Sequence, residues 1–73
     1  MRLYEAIKHV TAERFMTYSE ITQRINETRA YVPSDGLFVA QANVRDAVRR
    51  HPELFEIDRS TNPHRLRAIR PRS

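Results

Sequence analysis

Residues 40–50, AQANVRDAVRR, have one regular conformation open to them. Ala40, Val44, Ala47 and Val48 recur at the i, i+4, i+7, i+8 spacing of a single helical face. At about 100° per residue, Ala42, Arg45, Asp46 and Arg49 fall on the opposite side, with Gln41 and Arg50 on the flanks. His51-Pro52 ends the segment, because a residue before proline is driven out of the right-handed helical region. The remaining chain must supply a core for one face of this helix. It has 73 residues to do so and no cysteine for a disulfide or a thiolate metal site. A chain this short buries only about 60% of its unfolded surface, which leaves one thin core and no deep pocket. The expected organisation is one domain over residues 1–70, with 71–73 as a tail or the start of a linker. Met1 reads as a natural N-terminus and the polar Pro71-Arg72-Ser73 end as a chain that continues.

Three amphipathic segments precede and follow each other in a fixed order. Leu3, Ala6, Ile7 and Val10 make a helical stripe over about residues 2–13. His9 flanks that stripe as a surface residue. Phe15-Met16-Thr17 is apolar and β-prone but too short to stand alone, so it needs a partner strand from later in the chain. Thr17-Tyr18-Ser19-Glu20 is a capping box, in which each end of the tetrapeptide satisfies a free N–H of the other. A second helix is expected over residues 18–28, with Ile21 and Ile25 inward and Tyr18 at the core edge. Residues 29–37 form a loop: Pro33 stops a helix, Ser34-Asp35-Gly36 is turn chemistry, and Gly36, the only glycine, is expected at positive φ. Tyr31, Val32 and Leu37 are expected to fold back onto the core. Phe38 and Val39 then lead into the helix at 40–50.

After His51-Pro52, residues 54–58 read as a half-buried strand, alternating apolar and polar at Phe55, Glu56, Ile57 and Asp58. Residues 59–64 are a polar turn. Residues 65–70 form a second strand, with Leu66 and Ala68 on one face and Arg65 and Arg67 on the other; Ile69 breaks the alternation. The fold class is therefore α+β: three helices and a small antiparallel sheet ending in a basic β-hairpin. That order is the layout of a winged helix-turn-helix, whose third helix enters a major groove and whose hairpin wing lies on the backbone or in the minor groove.

The net charge of +4 lies wholly in the second half. Up to residue 39, five basic residues cancel five acids; from residue 40, eight arginines oppose Asp46, Glu53, Glu56 and Asp58. Twelve of the thirteen basic residues are arginine, whose planar fork suits phosphate and guanine better than lysine does. A merely solubilising surface is the alternative reading of the charge alone.

Catalysis is not expected. One glycine cannot build a phosphate-cradling loop, and no HExxH or nucleophile elbow is present. His9, His51 and His64 sit on separate elements. His51 favours the negative end of a helix dipole. Glu56 and Asp58 share a strand face without a third ligand, a poor metal site. No cofactor, metal or small-molecule substrate is expected. No apolar run approaches the roughly 18 residues of a membrane span, and Glu5, Lys8 and His9 break up any signal-like start. A cytoplasmic protein, nucleoid-associated when bound, is the expectation.

The string MTYSEITQRIN resembles the second-helix signature of winged-helix domains in bacterial restriction and DNA-modification proteins, including the HARE-type helix-turn-helix group. VRDAVRRHPELFEIDRSTNPHRLRAI resembles the third helix and wing of such domains. The likeness runs from about Leu3 to Ile69. The chain departs from the HARE pattern at Arg29-Ala30-Tyr31 and at Gly36-Leu37-Phe38-Val39, where that group often carries a glycine-leucine pair and G-x-T-P. The resemblance implies a DNA-binding module of a restriction or modification protein, or a small transcriptional regulator, with a C-terminal catalytic or oligomerisation domain as its neighbour.

Double-stranded DNA is thus the expected partner. Base edges would be read by Gln41, Arg45 and Arg49, with the small Ala42 allowing close approach and Asn43 a weaker candidate on the side of the helix. Phosphates would be met by Arg59, Ser60, Thr61, His64, Arg65 and Arg67 in the wing, and by Thr17 or Ser19 at the second helix. Asp46 is expected to orient Arg49 or Arg50 rather than accept from cytosine. The competing reading is a protein-docking module, in which Phe38, Leu54 and Ile69 form an exposed apolar patch and the arginines meet an acidic partner.

Overall fold

A computed structural model describes residues 2–34 and 36–69 of the chain. Asp35 and the expected strand end and tail at residues 70–73 lie outside the described residues. The elements run α1 (Leu3–Val10), β1 (Met16–Thr17), α2 (Tyr18–Thr28), α3 (Gln41–Arg50), β2 (Phe55–Asp58) and β3 (Arg65–Ala68). Three helices and a three-stranded antiparallel sheet make an α+β architecture, with β3 in the centre of the order β1-β3-β2.

Each helix contributes its apolar stripe to one core. Ala6 and Ile7, Ile21 and Ile25, and Val44 and Val48 are buried together with Met16, Val39, Phe55 and Leu66. Leu3, Val10, Tyr18, Tyr31, Ala47, Leu54 and Ile57 pack around them. The sheet closes this core by alternation. On β3, Leu66 and Ala68 are buried while Arg65 and Arg67 are exposed. Leu66 pairs in register with Met16 on one side and Ile57 on the other, so three apolar side chains share the inner face.

Local chemistry sets the helix ends. Glu20 N–H donates to Thr17 Oγ1 at 3.1 Å and Thr17 N–H donates to Glu20 Oε1 at 2.9 Å, so the capping box at the start of α2 is complete. At the start of α3, Ala40 N–H donates to Asn43 Oδ1 at 3.2 Å. α3 stops at Arg50, with His51 as its cap ahead of Pro52.

Several expectations from the sequence are corrected. The first helix ends at Val10 instead of reaching residue 13. Thr11 terminates it: its hydroxyl donates back to the Ile7 carbonyl at 2.7 Å, and Thr11 Oγ1 accepts from Ala68 N–H at 3.1 Å. A tertiary bond to β3 thus competes with continued winding. Gly36 has no positive φ; among the described residues the left-handed backbone belongs to Arg29 (φ 56°), the cap of α2. Val32 and Leu37 do not return to the core and are 45% and 69% exposed. Ala40 is an exposed N-cap, not part of the buried stripe, because the preceding Val39 fills that place. Leu54 ends a short 3-10 turn opened by Pro52, so β2 starts at Phe55.

Thr11 is the one buried polar or charged side chain among the described residues, and it bridges the end of α1 to the central strand. Thr11→Val keeps the shape but removes the acceptor for Ala68 N–H, which retains only the Thr11 backbone carbonyl at 3.4 Å. The expected cost is about 1 kcal/mol. Thermal denaturation should show it as a fall in Tm of about 4–8 °C.

Candidate nucleic-acid interface

The polar face of α3 is positioned from behind by a residue on α2. Asn26 Nδ2 donates to the Val39 carbonyl at 3.0 Å, and Val39 N–H donates to Asn26 Oδ1 at 2.8 Å. One amide side chain therefore satisfies both backbone groups of the residue before the α3 cap, as a neighbouring strand would. Arg29 secures the same loop further out: its Nη1 donates to the Leu37 carbonyl at 2.8 Å, and its guanidinium lies 5.5 Å from the Phe38 ring centre. Neither residue was marked from the sequence. The signal that points to Asn26 is a polar residue one position beyond Ile25 on a helix whose other side is buried. Its partner, thirteen residues away, is not visible in any local pattern.

With α3 so held, its outward residues face a groove of about 490 Å³. Thr17, Tyr18 and Ser19 from the start of α2 form one wall, and Gln41, Arg45 and Arg49 from α3 another. Ile57, Arg59, Asn62, Pro63 and His64 from the β2–β3 hairpin complete it. Seven of the residues expected to contact nucleic acid therefore meet in one concavity: Thr17, Ser19, Gln41, Arg45, Arg49, Arg59 and His64. No carboxylate lines it. The concavity beside α1 and α2 differs, because Glu13 shares it with His9, Arg14 and Arg24.

The arginines divide by partner. Arg50 pairs with Asp46 at 3.1 Å, one helical turn apart, as expected for an acid that orients a neighbour. Arg67 pairs with Glu56 at 3.2 Å and lies 4.6 Å from the Phe15 ring centre; Arg65 faces Asp58 at 3.8 Å. These last two are directly opposed cross-strand pairs in the sheet register. Arg45, Arg49 and Arg59 enter no ion pair among the described residues. Among the described arginines from residue 40 onward, those without an ion pair are thus the ones lining the groove.

Five expected contact residues are not brought into it. Arg65 and Arg67 project from the outer face of the sheet, because residues two apart on a strand share a face and Leu66 takes the inner one. Ser60 N–H and Oγ both donate to Asp58 Oδ1, and Thr61 Oγ1 donates to the Pro63 carbonyl at 3.0 Å, so both side chains build the turn. Ala42 is exposed on α3 beside the groove without lining it. Asn43, the weaker candidate, uses its carbonyl oxygen to cap α3.

Two carboxyl groups bordering this region titrate below their ordinary range. Glu20 is lowered chiefly by the hydrogen bond from the Thr17 backbone, with Arg14 and Arg65 adding attraction. Asp58 is lowered chiefly by the Ser60 hydroxyl and backbone N–H, with help from Arg65 and His64. Both effects favour the charged form in the folded chain.

Among the described residues, no group of three or more His, Cys, Asp or Glu side chains converges to hold a metal ion. No described helix is long and apolar enough to cross a membrane. Comparison with protein-family profiles, with curated protein sequences and with solved structures finds no match to the chain.

Two measurements follow from this geometry. Asn26→Ala leaves Val39 N–H and C=O without their partner and should cost about 1–3 kcal/mol. Hydrogen exchange should accelerate at Val39 and through the first turn of α3 more than on β3; equal acceleration on both would show that Asn26 does not hold α3 specifically. For Glu20, a lowered native pKa means that its contribution is complete above the ordinary glutamate range and disappears as the pH falls through the native value. Glu20→Gln preserves the cap without the titration, so its stability should fall less steeply on acidification than that of the unsubstituted chain, as followed by urea unfolding across an acid pH series.

Proposed function

We propose that the chain is a winged helix-turn-helix module that binds double-stranded DNA, with α3 in the major groove and the β2–β3 hairpin as its wing. The observation that carries the reading is the acid-free groove joining α2, α3 and the hairpin, into which Arg45, Arg49 and Arg59 bring unpaired charge. The element order and the central position of β3 fit the same layout.

The roles divide by reach. Gln41, Arg45 and Arg49 on the helix face base edges, where Gln suits adenine N6/N7 and Arg suits guanine O6/N7. Arg59 and His64 on the hairpin, and Thr17 and Ser19 at the α2 N-terminus, meet phosphates. Arg65 and Arg67 serve first to balance Glu56 and Asp58 and are secondary phosphate contacts. Ser60 and Thr61 shape the turn that carries Arg59, and Ala42 leaves room for the duplex. In this reading the module serves a restriction or modification protein, beside a catalytic or oligomerisation domain, or a small transcriptional regulator, in the cytoplasm.

The docking alternative loses one of its three expected residues. Phe38 and Ile69 are 64% and 47% exposed, but Leu54 packs against the core.

Binding of randomised duplexes at two or more salt concentrations tests the proposal. Affinity should fall steeply with salt, because cations on the protein displace condensed counterions. Arg45→Ala and Arg49→Ala should each cost about 1–3 kcal/mol at particular base pairs. Arg59→Ala should weaken all duplexes alike and reduce the salt slope by about 1. Absence of duplex binding at low salt would sink the reading.

A further inference from the structure

Two arginines one turn apart on α3 share the groove, yet they stand in different surroundings. Arg45 places its guanidinium 5.3 Å from the ring centre of Tyr18. Arg49 has no aromatic ring beneath it among the described residues. Both are exposed, and neither is held by an acid.

Tyr18 is itself fixed from three sides. It is the first residue of α2, directly after the Thr17 cap, so the capping box sets its backbone. Its carbonyl accepts from Thr22 Oγ1 at 2.7 Å. Its side chain is half-buried and packs against the core while also lining the groove. The ring is therefore a rigid platform with one face toward the core side and one toward the guanidinium.

We infer that Tyr18 is a specificity-determining residue of the DNA site. It acts as a positioning residue that pre-stacks Arg45 for bidentate contact with a guanine. The inference rests on the DNA-binding reading and deepens it. The physical reason is entropic as well as electrostatic. A free arginine must lose several rotors on meeting a base edge, whereas one already held flat over an aromatic face has less to lose. The ring quadrupole attracts the cation without neutralising it, so the five N–H donors stay available. An acid in the same place would hold Arg45 equally well but would occupy the fork and repel phosphate. Arg49, unstacked, adapts to whichever base or phosphate lies opposite. Arg45 thus sets the sharpest position in the recognition sequence, and Tyr18 is the reason.

The test is a randomised-duplex selection with the intact chain and with Tyr18→Leu, Tyr18→Phe, Arg45→Ala and the Tyr18→Leu/Arg45→Ala pair, each checked for native circular dichroism. Tyr18→Leu should flatten preference at the same base pair as Arg45→Ala, with a loss of roughly five-fold in affinity for the preferred duplex. Its salt slope should stay unchanged, since no phosphate contact is removed. Tyr18→Phe keeps the ring and should keep the preference. In the double variant the Tyr18 change should add nothing further. NMR of the unbound chain supplies a second readout: the Arg45 side-chain protons should be shifted by the ring current, and the shift should vanish in Tyr18→Leu but persist in Tyr18→Phe. If the chain selects a sequence and Tyr18→Leu selects it as sharply, the positioning role is overturned while DNA binding stands. If Tyr18→Phe is as damaging as Tyr18→Leu, the phenol oxygen and not the stacked ring is responsible, and the role is again overturned. If no duplex binds even at low salt, the DNA reading fails and takes this role with it.

Discussion

Asn26 holds Val39 by both of its backbone groups, and the placement of α3 depends on that contact. Between α2 and α3 the chain has no ladder to make. A loop in that situation must find other partners for its N–H and C=O groups or leave them to water. Val39 is buried, so water is not an option there. The amide of Asn26, using one N–H donor and its carbonyl acceptor in a fixed plane, replaces a strand at this one residue. Once Val39 is seated, Ala40 becomes the helix cap, Val44 and Val48 reach the core, and Gln41, Arg45 and Arg49 have no direction left but outward.

The charge distribution follows from the same placement together with the pleat of the sheet. On β3 the inner positions belong to Leu66 and Ala68, which sends Arg65 and Arg67 to the face already carrying Glu56 and Asp58. Such exposed pairs contribute little to stability, about 0–1 kcal/mol each. Their larger effect is to cancel charge locally. No acid lines the groove between α3 and the hairpin, so the positive charge of Arg45, Arg49 and Arg59 is not cancelled within it. A net charge of +4 is modest; direction comes from pairing on the sheet face and from three arginines left without an ion pair in one concavity.

Local chemistry was legible and non-local geometry was not. Thr17 and Glu20 sit three residues apart and satisfy each other's neighbours, so their cap could be read without knowing the fold. The same holds for the helix stop at His51-Pro52, the inward positions Ile21, Ile25, Val44 and Val48, and the alternation of Leu66 and Ala68. The early end of α1 was not legible, because Thr11 is drawn to Ala68, a residue 57 positions away. Turn composition at Ser34-Asp35-Gly36 suggested a left-handed glycine. The left-handed residue is Arg29, whose side chain gains the Leu37 carbonyl and the Phe38 ring in compensation. Val32 and Leu37 looked like core because they are apolar, but a core this thin is already filled by Val39 and Tyr31 from the same loop.

For the candidate site, the sequence alone determined which residues are capable of contact. Helical periodicity separates the buried from the exposed side of residues 40–50, and strand periodicity does the same for residues 65–68. These are properties of the backbone that hold in any fold containing those elements. Tertiary structure alone decided which of the capable residues work together. Arg45 and Arg67 are equivalent in the sequence: exposed arginines on amphipathic elements. Folding sets Arg45 over Tyr18 in an acid-free groove and Arg67 against Glu56 on the far face of the sheet. The segment that reads as an amphipathic helix with some arginines becomes a surface with a defined charged edge only when Asn26, from another helix, seats its first turn. Whether a charge is free or paired depends on what lies across from it in space, and that distance is not encoded in any spacing along the chain.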